Sequence, residues 1–329
     1  MDIFLQQVVN GLTLGSIYAV VALGYTMVYG IIQLINFAHG EVVMVGAMVA
    51  LATIATLAGS TALPPAVVVF AGVACAVPVC MVLGFVMERV AYRPLRGAPR
   101  LAPLITAIGL SIILQHVALL VWGRSPLSFP QIMENPIFEF AGAHISIVQI
   151  GIMLISVVMM AGLTLVVYRT RLGVAMRATS ENPQIAGLMG IDVNRIISLT
   201  FVIGAALAAM AGVMVGTYYG IAHYTMGSLL GLKAFSAAVL GGIGNLAGAM
   251  LGGILLGVVE ALGAGYIGEF TDLCRYSWLA DLLAERCAQN QHFVLFGSNY
   301  QDVFAFLVLI AVLVFRPSGL LGERVGDRA

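Results

Sequence analysis

Few side chains in this sequence can do chemistry, and most of those that can are set in apolar surroundings. One group is Gln33, Asn36, His39 and Glu41, within Ile31-Ile-Gln-Leu-Ile-Asn-Phe-Ala-His-Gly-Glu41; the others are Glu260 and Lys233, the single lysine of the chain. A carboxylate in lipid costs roughly 2.5–3.5 kcal/mol on insertion scales, so Glu41 and Glu260 are expected to face protein or water. If this stretch is a broken helix lining a translocation route, Asn36 and His39 offer hydrogen bonds to a polar passenger; the other reading is an ordinary loop at the membrane surface between two spans. On an unbroken helix Gln33, Asn36 and Gly40 share one face and Phe37, Glu41 and Met44 another. Glu260 shares a face with Gly253, Gly257, Ala261 and Ala264, and Gly248 and Gly252 add a small-xxx-small spacing. Such faces let helix backbones approach closely, so Glu260 is predicted to point into a helix contact, as a structural hydrogen bond or as part of a solute route. Lys233 lies with Ser236 and Ala237 on a small-residue face, where it either packs inward or snorkels to the interface. It is chemically suited to pair with Glu260, but nothing in the sequence places the two together.

Other chemistry is missing. Lys233 is followed by Ala234 and not by the Ser or Thr of a phosphate-binding loop, and His39-Gly40-Glu41 has the wrong spacing for a zinc helix. No Gly-x-Ser-x-Gly elbow occurs. The reading is therefore a non-enzymatic chain without an ATPase site, a metal or a bound cofactor. Cys75 and Cys80 fall in an apolar helix as small hydrophobes. Cys274 and Cys287 share a loop that the arginine distribution assigns to the outside, where a disulfide could close it.

The surrounding elements are membrane helices. Of 329 residues 61% are hydrophobic and 9% charged, with a mean hydropathy of +1.04; soluble domains average roughly 45–50% and 25%. Fifteen basic and fifteen acidic residues cancel, which leaves no net field for nucleic acid. Thirty-eight glycines among aliphatics suit packed helices better than a β-barrel. A crossing takes roughly 20 residues; charge-poor runs lie at about 7–30, 36–58, 66–88, 101–121, 146–168, 196–218, 228–244, 247–268 and 301–315, and the short run at 228–244, which carries Lys233, reads as a half-helix. The fold class is an all-α polytopic membrane protein of eight or nine transmembrane or half-membrane helices, one transmembrane domain over 1–329. Asp2 and the lack of a basic n-region argue against a cleaved signal peptide. Eleven of the fifteen basic residues fall in three places, 89–100, 169–195 and 316–328. Basic loops stay cytoplasmic, so nine crossings put the N-terminus outside, the C-terminus inside, and the long loop at about 269–300 outside.

The cytoplasmic segment at about 169–195 differs from the other loops. Ser180 or Asn182 can cap a short helix with Pro183 in its first turn, and Gly190 can end it in a left-handed conformation. Such a helix would present Ile185, Leu188 and Met189 on the cytoplasmic face, a surface able to receive a motor.

This segment is similar to the Ala-x-x-x-Gly coupling motif of ABC importer permeases, over Ala178 to Gly190. Four stretches together resemble the high-affinity branched-chain amino acid permease family, nearest its first permease subunit: Asn10-Gly-Leu-Thr-Leu-Gly15; Tyr25-Thr-Met-Val-Tyr-Gly-Ile31 through Glu41; Glu88-Arg-Val-Ala-Tyr-Arg-Pro94; and Leu199-Thr-Phe-Val-Ile-Gly-Ala205 through Lys233 to Gly244. The loop at about 270–299 is longer than the family pattern. The resemblance implies a bacterial inner-membrane importer in which this chain pairs with a second related permease. Two cytoplasmic ATPases would consume the ATP, and a periplasmic amino-acid-binding protein would deliver the solute for alternating access. It implies motor contacts at Glu181, Gln184, Ile185, Leu188 and Gly190. Two other readings remain open: a urea or short-amide importer of the same architecture, and an ion-coupled secondary transporter or channel acting alone.

Overall fold

A computed structural model of the chain describes residues 2–60, 63–99, 101–130, 136–140, 142–271 and 300–322. The loop cysteines Cys274 and Cys287, and with them the disulfide expectation, lie outside the described residues, as does most of the loop at about 269–300.

The helices in chain order are α1 (Asp2–Ile32), α2 (His39–Ser60), α3 (Pro65–Val86), α4 (Leu101–Trp122), α5 (Ile147–Arg169), α6 (Arg171–Glu181), α7 (Pro183–Leu188), α8 (Val193–Tyr219), α9 (Met226–Gly241), α10 (Leu246–Phe270) and α11 (Gln301–Phe315). Among the described residues seven of them, α1 to α5, α8 and α10, are long and apolar enough to cross a membrane, while α9 and α11 are shorter apolar helices. This matches the eight or nine full and partial crossings read from hydropathy. Short antiparallel strands tie the connections: β1 (Leu127–Ser128) pairs with β4 (Ile221–Ala222), and β2 (Ile137–Phe140) with β3 (Ala143–Ser146).

The bundle is organised around α1 and α8, the most buried of the spanning helices; α3, α4 and α5 form its outer side. Lipid tails are as apolar as leucine, so helices in a bilayer associate through close packing and polar contacts. The α1–α10 contact shows this. A Cβ placed on Gly11 would lie 2.6 Å from Val258 Cα, and one on Gly15 would lie 2.7 Å from the Ile254 backbone. Gly253 and Gly257 lie equally close to Ala19 and Gly15 in return, while Gly248 and Gly252 pack against Gly241 and Ala237 of α9. The glycine-rich sides of α10 are therefore two seams, one for α1 and one for α9, and Glu260 between its neighbours is fully buried.

Two local features depart from the sequence reading. The segment at 169–195 holds two helices, since Thr170 caps α6 by accepting from Gly173 N before α7 begins. The third span also ends in a widened π-helical turn, Met87–Tyr92, in which Arg93 N donates to Glu88 O five residues back.

Candidate translocation and coupling sites

The polar stretch after residue 32 is a helix break inside the bundle. Gln33 takes a left-handed φ of 54° and its N–H donates to Tyr29 O at 2.7 Å, which closes α1. The chain then doubles back, because His39, the first residue of α2, packs against Gly24. Gly24 lies two helical turns (~12 Å at 1.5 Å per residue) before the end of α1 at Ile32. The start of α2 therefore lies beside the body of α1, about two turns back from its end. Asn36 organises the turn: its Oδ1 accepts from Ala38 N at 3.1 Å and its carbonyl accepts from His39 N at 3.0 Å. Asn36, His39 and Glu41 are buried, whereas Gln33 is exposed at the outer edge of the break. The shared face of Gln33, Asn36 and Gly40 does not form, because residues 33–38 are not helical.

His39 meets the Tyr25 ring edge-on at 4.8 Å between centroids. Glu41 Oε1 accepts from Ser111 Oγ at 2.9 Å and from Gln115 Nε2 at 2.8 Å, both on α4, while its buried Oε2 has no hydrogen-bond partner among the described residues. Beside the break, Tyr25, Thr26 and Tyr29 of α1, Ile35 of the break and Phe235 of α9 line a small crevice of about 10 Å³, room for about one water. Its walls are apolar with a few hydroxyls, and the Thr26 hydroxyl is buried.

A second polar centre joins four helices. Lys233 Nζ of α9 lies 2.6 Å from Glu260 Oε1 of α10 and 2.6 Å from Asp302 Oδ1 of α11. Tyr18 of α1 donates its hydroxyl to Glu260 Oε1 at 3.3 Å. The structure thus brings Lys233 and Glu260 together, and Lys233 is buried inside the bundle, where a snorkelling lysine would not be. Asp302 escapes a reading of the sequence because it counts there as a charge of the external loop. The signal is its place in the first turn of an otherwise uninterrupted apolar helix.

The cytoplasmic segment is built from local signals. Asn182 Oδ1 accepts from Gln184 N at 3.0 Å and Ile185 N at 3.1 Å, Pro183 opens α7, and Gly190 follows its end with φ +87°. Ile185, Leu188 and Met189 are 58%, 87% and 79% exposed. Glu181 and Gln184 are exposed beside them. Ile185 and Leu188 of α7 and Met189 just after it thus form an exposed apolar patch outside the membrane-spanning segments. Among the described residues no cluster of His, Cys, Asp or Glu is placed to hold a metal ion.

Comparison with known proteins agrees with this architecture. The chain is 47% identical over 326 residues to the high-affinity branched-chain amino acid transport system permease protein BraD of Pseudomonas aeruginosa, covering 97% of this chain and 96% of that one. It is 42% identical over 324 residues to the LivH permease proteins of Salmonella typhimurium and Escherichia coli K12, with 97% and 96% covered. No solved structure matches it. The profile of the family described as branched-chain amino acid transport system, permease component, matches residues 7–313, and the chain belongs to that family.

Proposed function

We propose that this chain is a transmembrane permease subunit of an ATP-driven, high-affinity importer of branched-chain amino acids in a bacterial inner membrane. It pairs with a second related permease, two cytoplasmic ATPases supply the driving force, and an external binding protein supplies the solute. The observation that carries this reading is the open face of α7, set on a chain that aligns end to end with BraD and LivH. A chain without a phosphate-binding loop needs such a surface to receive force from another subunit.

We assign the motor contact to Glu181, Gln184, Ile185, Leu188 and Gly190. The break with Gln33, Asn36, His39 and Glu41 belongs to the solute route in this reading, as do Lys233 and Glu260. An intramembrane helix start supported by buried amide and carboxylate groups is where transporters place polar ends of solutes. The adjoining crevice of Tyr25, Tyr29, Ile35 and Phe235 has mostly apolar walls and would have to widen to admit an aliphatic side chain.

Reconstitution with the ATPases, the second permease and the binding protein tests the assignment. Leucine-loaded binding protein is expected to stimulate ATP hydrolysis and uptake together. Stimulation by urea alone would keep the architecture and overturn the solute, and solute flux without vanadate-sensitive hydrolysis would overturn the motor. Leu188→Arg is expected to abolish uptake while the permease still inserts, because Leu188 packs against almost nothing within the chain. Gly190→Pro is expected to do the same, since proline fixes φ near −65° where the chain needs +87°. Normal uptake in both variants would remove α7 from the motor contact.

A further inference from the structure

The cytoplasmic ends of α3 and α8 hold a set of polar contacts that neither the solute route nor the motor face uses. Glu88 is fully buried. It pairs with Arg96 and accepts a hydrogen bond from Ser198 Oγ of α8. Arg96 Nη1 also donates to Asn194 Oδ1 in the first turn of α8, at 2.6 Å. A buried carboxylate requires such partners, so the contacts by themselves account for Glu88.

They do not account for the widened turn Met87–Tyr92, which sets Glu88 and Tyr92 one turn apart, both buried. π-Turns of this kind recur at functional positions in helices. Tyr92 packs its ring on Phe201 of α8 at 5.3 Å and donates its hydroxyl proton to Asn36 Oδ1 at 2.6 Å. Asn36 is the residue that organises the start of α2. At the other end, α8 begins directly after the α7 segment: Ile191 N donates to Ala186 O within α7, and Asp192 caps α8 through Arg195 N.

The contacts therefore run without interruption from α7 through Asp192 and Asn194 to Arg96 and Glu88, along one widened turn to Tyr92, and across to Asn36. Apolar helix surfaces can slide past one another, whereas charge-assisted and short hydroxyl–amide hydrogen bonds hold one geometry or break. Coupling between distant sites is carried by elements of that all-or-none kind.

We propose that Arg96 and Tyr92 are positioning residues that transmit displacement of the α7 segment to the α1–α2 break. They act through Asn36, so that the start of α2 moves with the motor. The proposal rests on the reading of α7 as the motor contact.

The test uses the complete reconstituted complex, with leucine uptake and ATP hydrolysis measured on the same proteoliposomes. Tyr92→Phe removes one hydroxyl and leaves the ring on Phe201. It is expected to lower leucine transported per ATP hydrolysed by about tenfold, inside the roughly 5–150-fold range of allosteric coupling, while hydrolysis continues. Asn194→Ala, on an exposed side chain, is expected to lower the same ratio and keeps the test open if Tyr92→Phe fails to insert. A relay also dictates the double variant. Cutting one path twice is expected to do no more than the more harmful single change, whereas two independent supports would multiply their losses. An unchanged ratio in the single variants that insert, or a multiplied loss in the double, overturns the relay. A parent complex whose hydrolysis drives no uptake would instead overturn the motor reading, and the relay with it.

Discussion

Lys233→Met is expected to destabilise the folded permease by about 3–5 kcal/mol, the cost of leaving buried charge uncompensated, and by far more than Glu260→Gln. The asymmetry comes from the count of charges. One ammonium lies 2.6 Å from each of two carboxylates, Glu260 and Asp302. Asp302 is 30% exposed and can turn to water, but Glu260 is fully buried and keeps only the Tyr18 hydroxyl at 3.3 Å once the lysine is gone. Glu260→Gln leaves Lys233 paired with Asp302, and the new amide oxygen can still accept from Tyr18; about 1 kcal/mol is expected, the value of an ordinary hydrogen bond. Lys233→Met combined with Glu260→Gln removes both buried charges and is expected to recover most of the loss. Unfolding midpoints of the three variants in mixed micelles check the order. A Lys233→Met protein as stable as its parent would mean that the ammonium does not hold this contact.

How far the site is legible in the sequence depends on the range over which each signal acts. The α7 segment can be read in advance because its determinants, Asn182, Pro183 and Gly190, lie within one short stretch and act on their own backbone. The inward direction of Glu260 is also legible, since Gly253 and Gly257 repeat on its face at helical spacing. Its partners are not. Lys233, Tyr18 and Asp302 come from three other helices, and no period along the chain encodes which helices are neighbours. The break at 33–38 announces itself by its polar residues, yet the doubling back of the chain beside α1 does not. Hydropathy measures how much apolar length is available, and a chain that turns back inside the bundle has the same composition as one that turns at the surface. Arg96 and Tyr92 are hidden for another reason. The arginine serves only to orient the chain, and the widened turn that faces Tyr92 inward leaves no mark in the spacing.

The largest loss of folded protein is expected from Gly257→Leu. A Cβ at Gly257 would overlap the Gly15 backbone and lie 2.7 Å from Gly11 O, and the reciprocal positions Gly11 and Gly15 meet backbone atoms of Val258 and Ile254 at 2.6 and 2.7 Å. A side-chain obstacle can rotate away, but these are main-chain atoms of two long helices, so α1 and α10 must part. Overpacking a core commonly costs about 1–3 kcal/mol; more than about 3 kcal/mol is expected here, because the obstruction lies in the most extensive helix contact of the bundle. Parting the pair also lengthens the Tyr18–Glu260 hydrogen bond and loosens the charge cluster beside it. Gly162→Leu in α5 is the matched control, with nothing within 4 Å of its added Cβ. The monodisperse yield after detergent extraction is expected to fall about tenfold for Gly257→Leu, since a loss of about 1–2 kcal/mol already changes the abundance of a marginally stable protein several-fold, and to stay near the parent for Gly162→Leu. Equal yields from the two variants would mean that α1 and α10 are not packed backbone to backbone, and the placement of Tyr18 against Glu260 would fall with that contact.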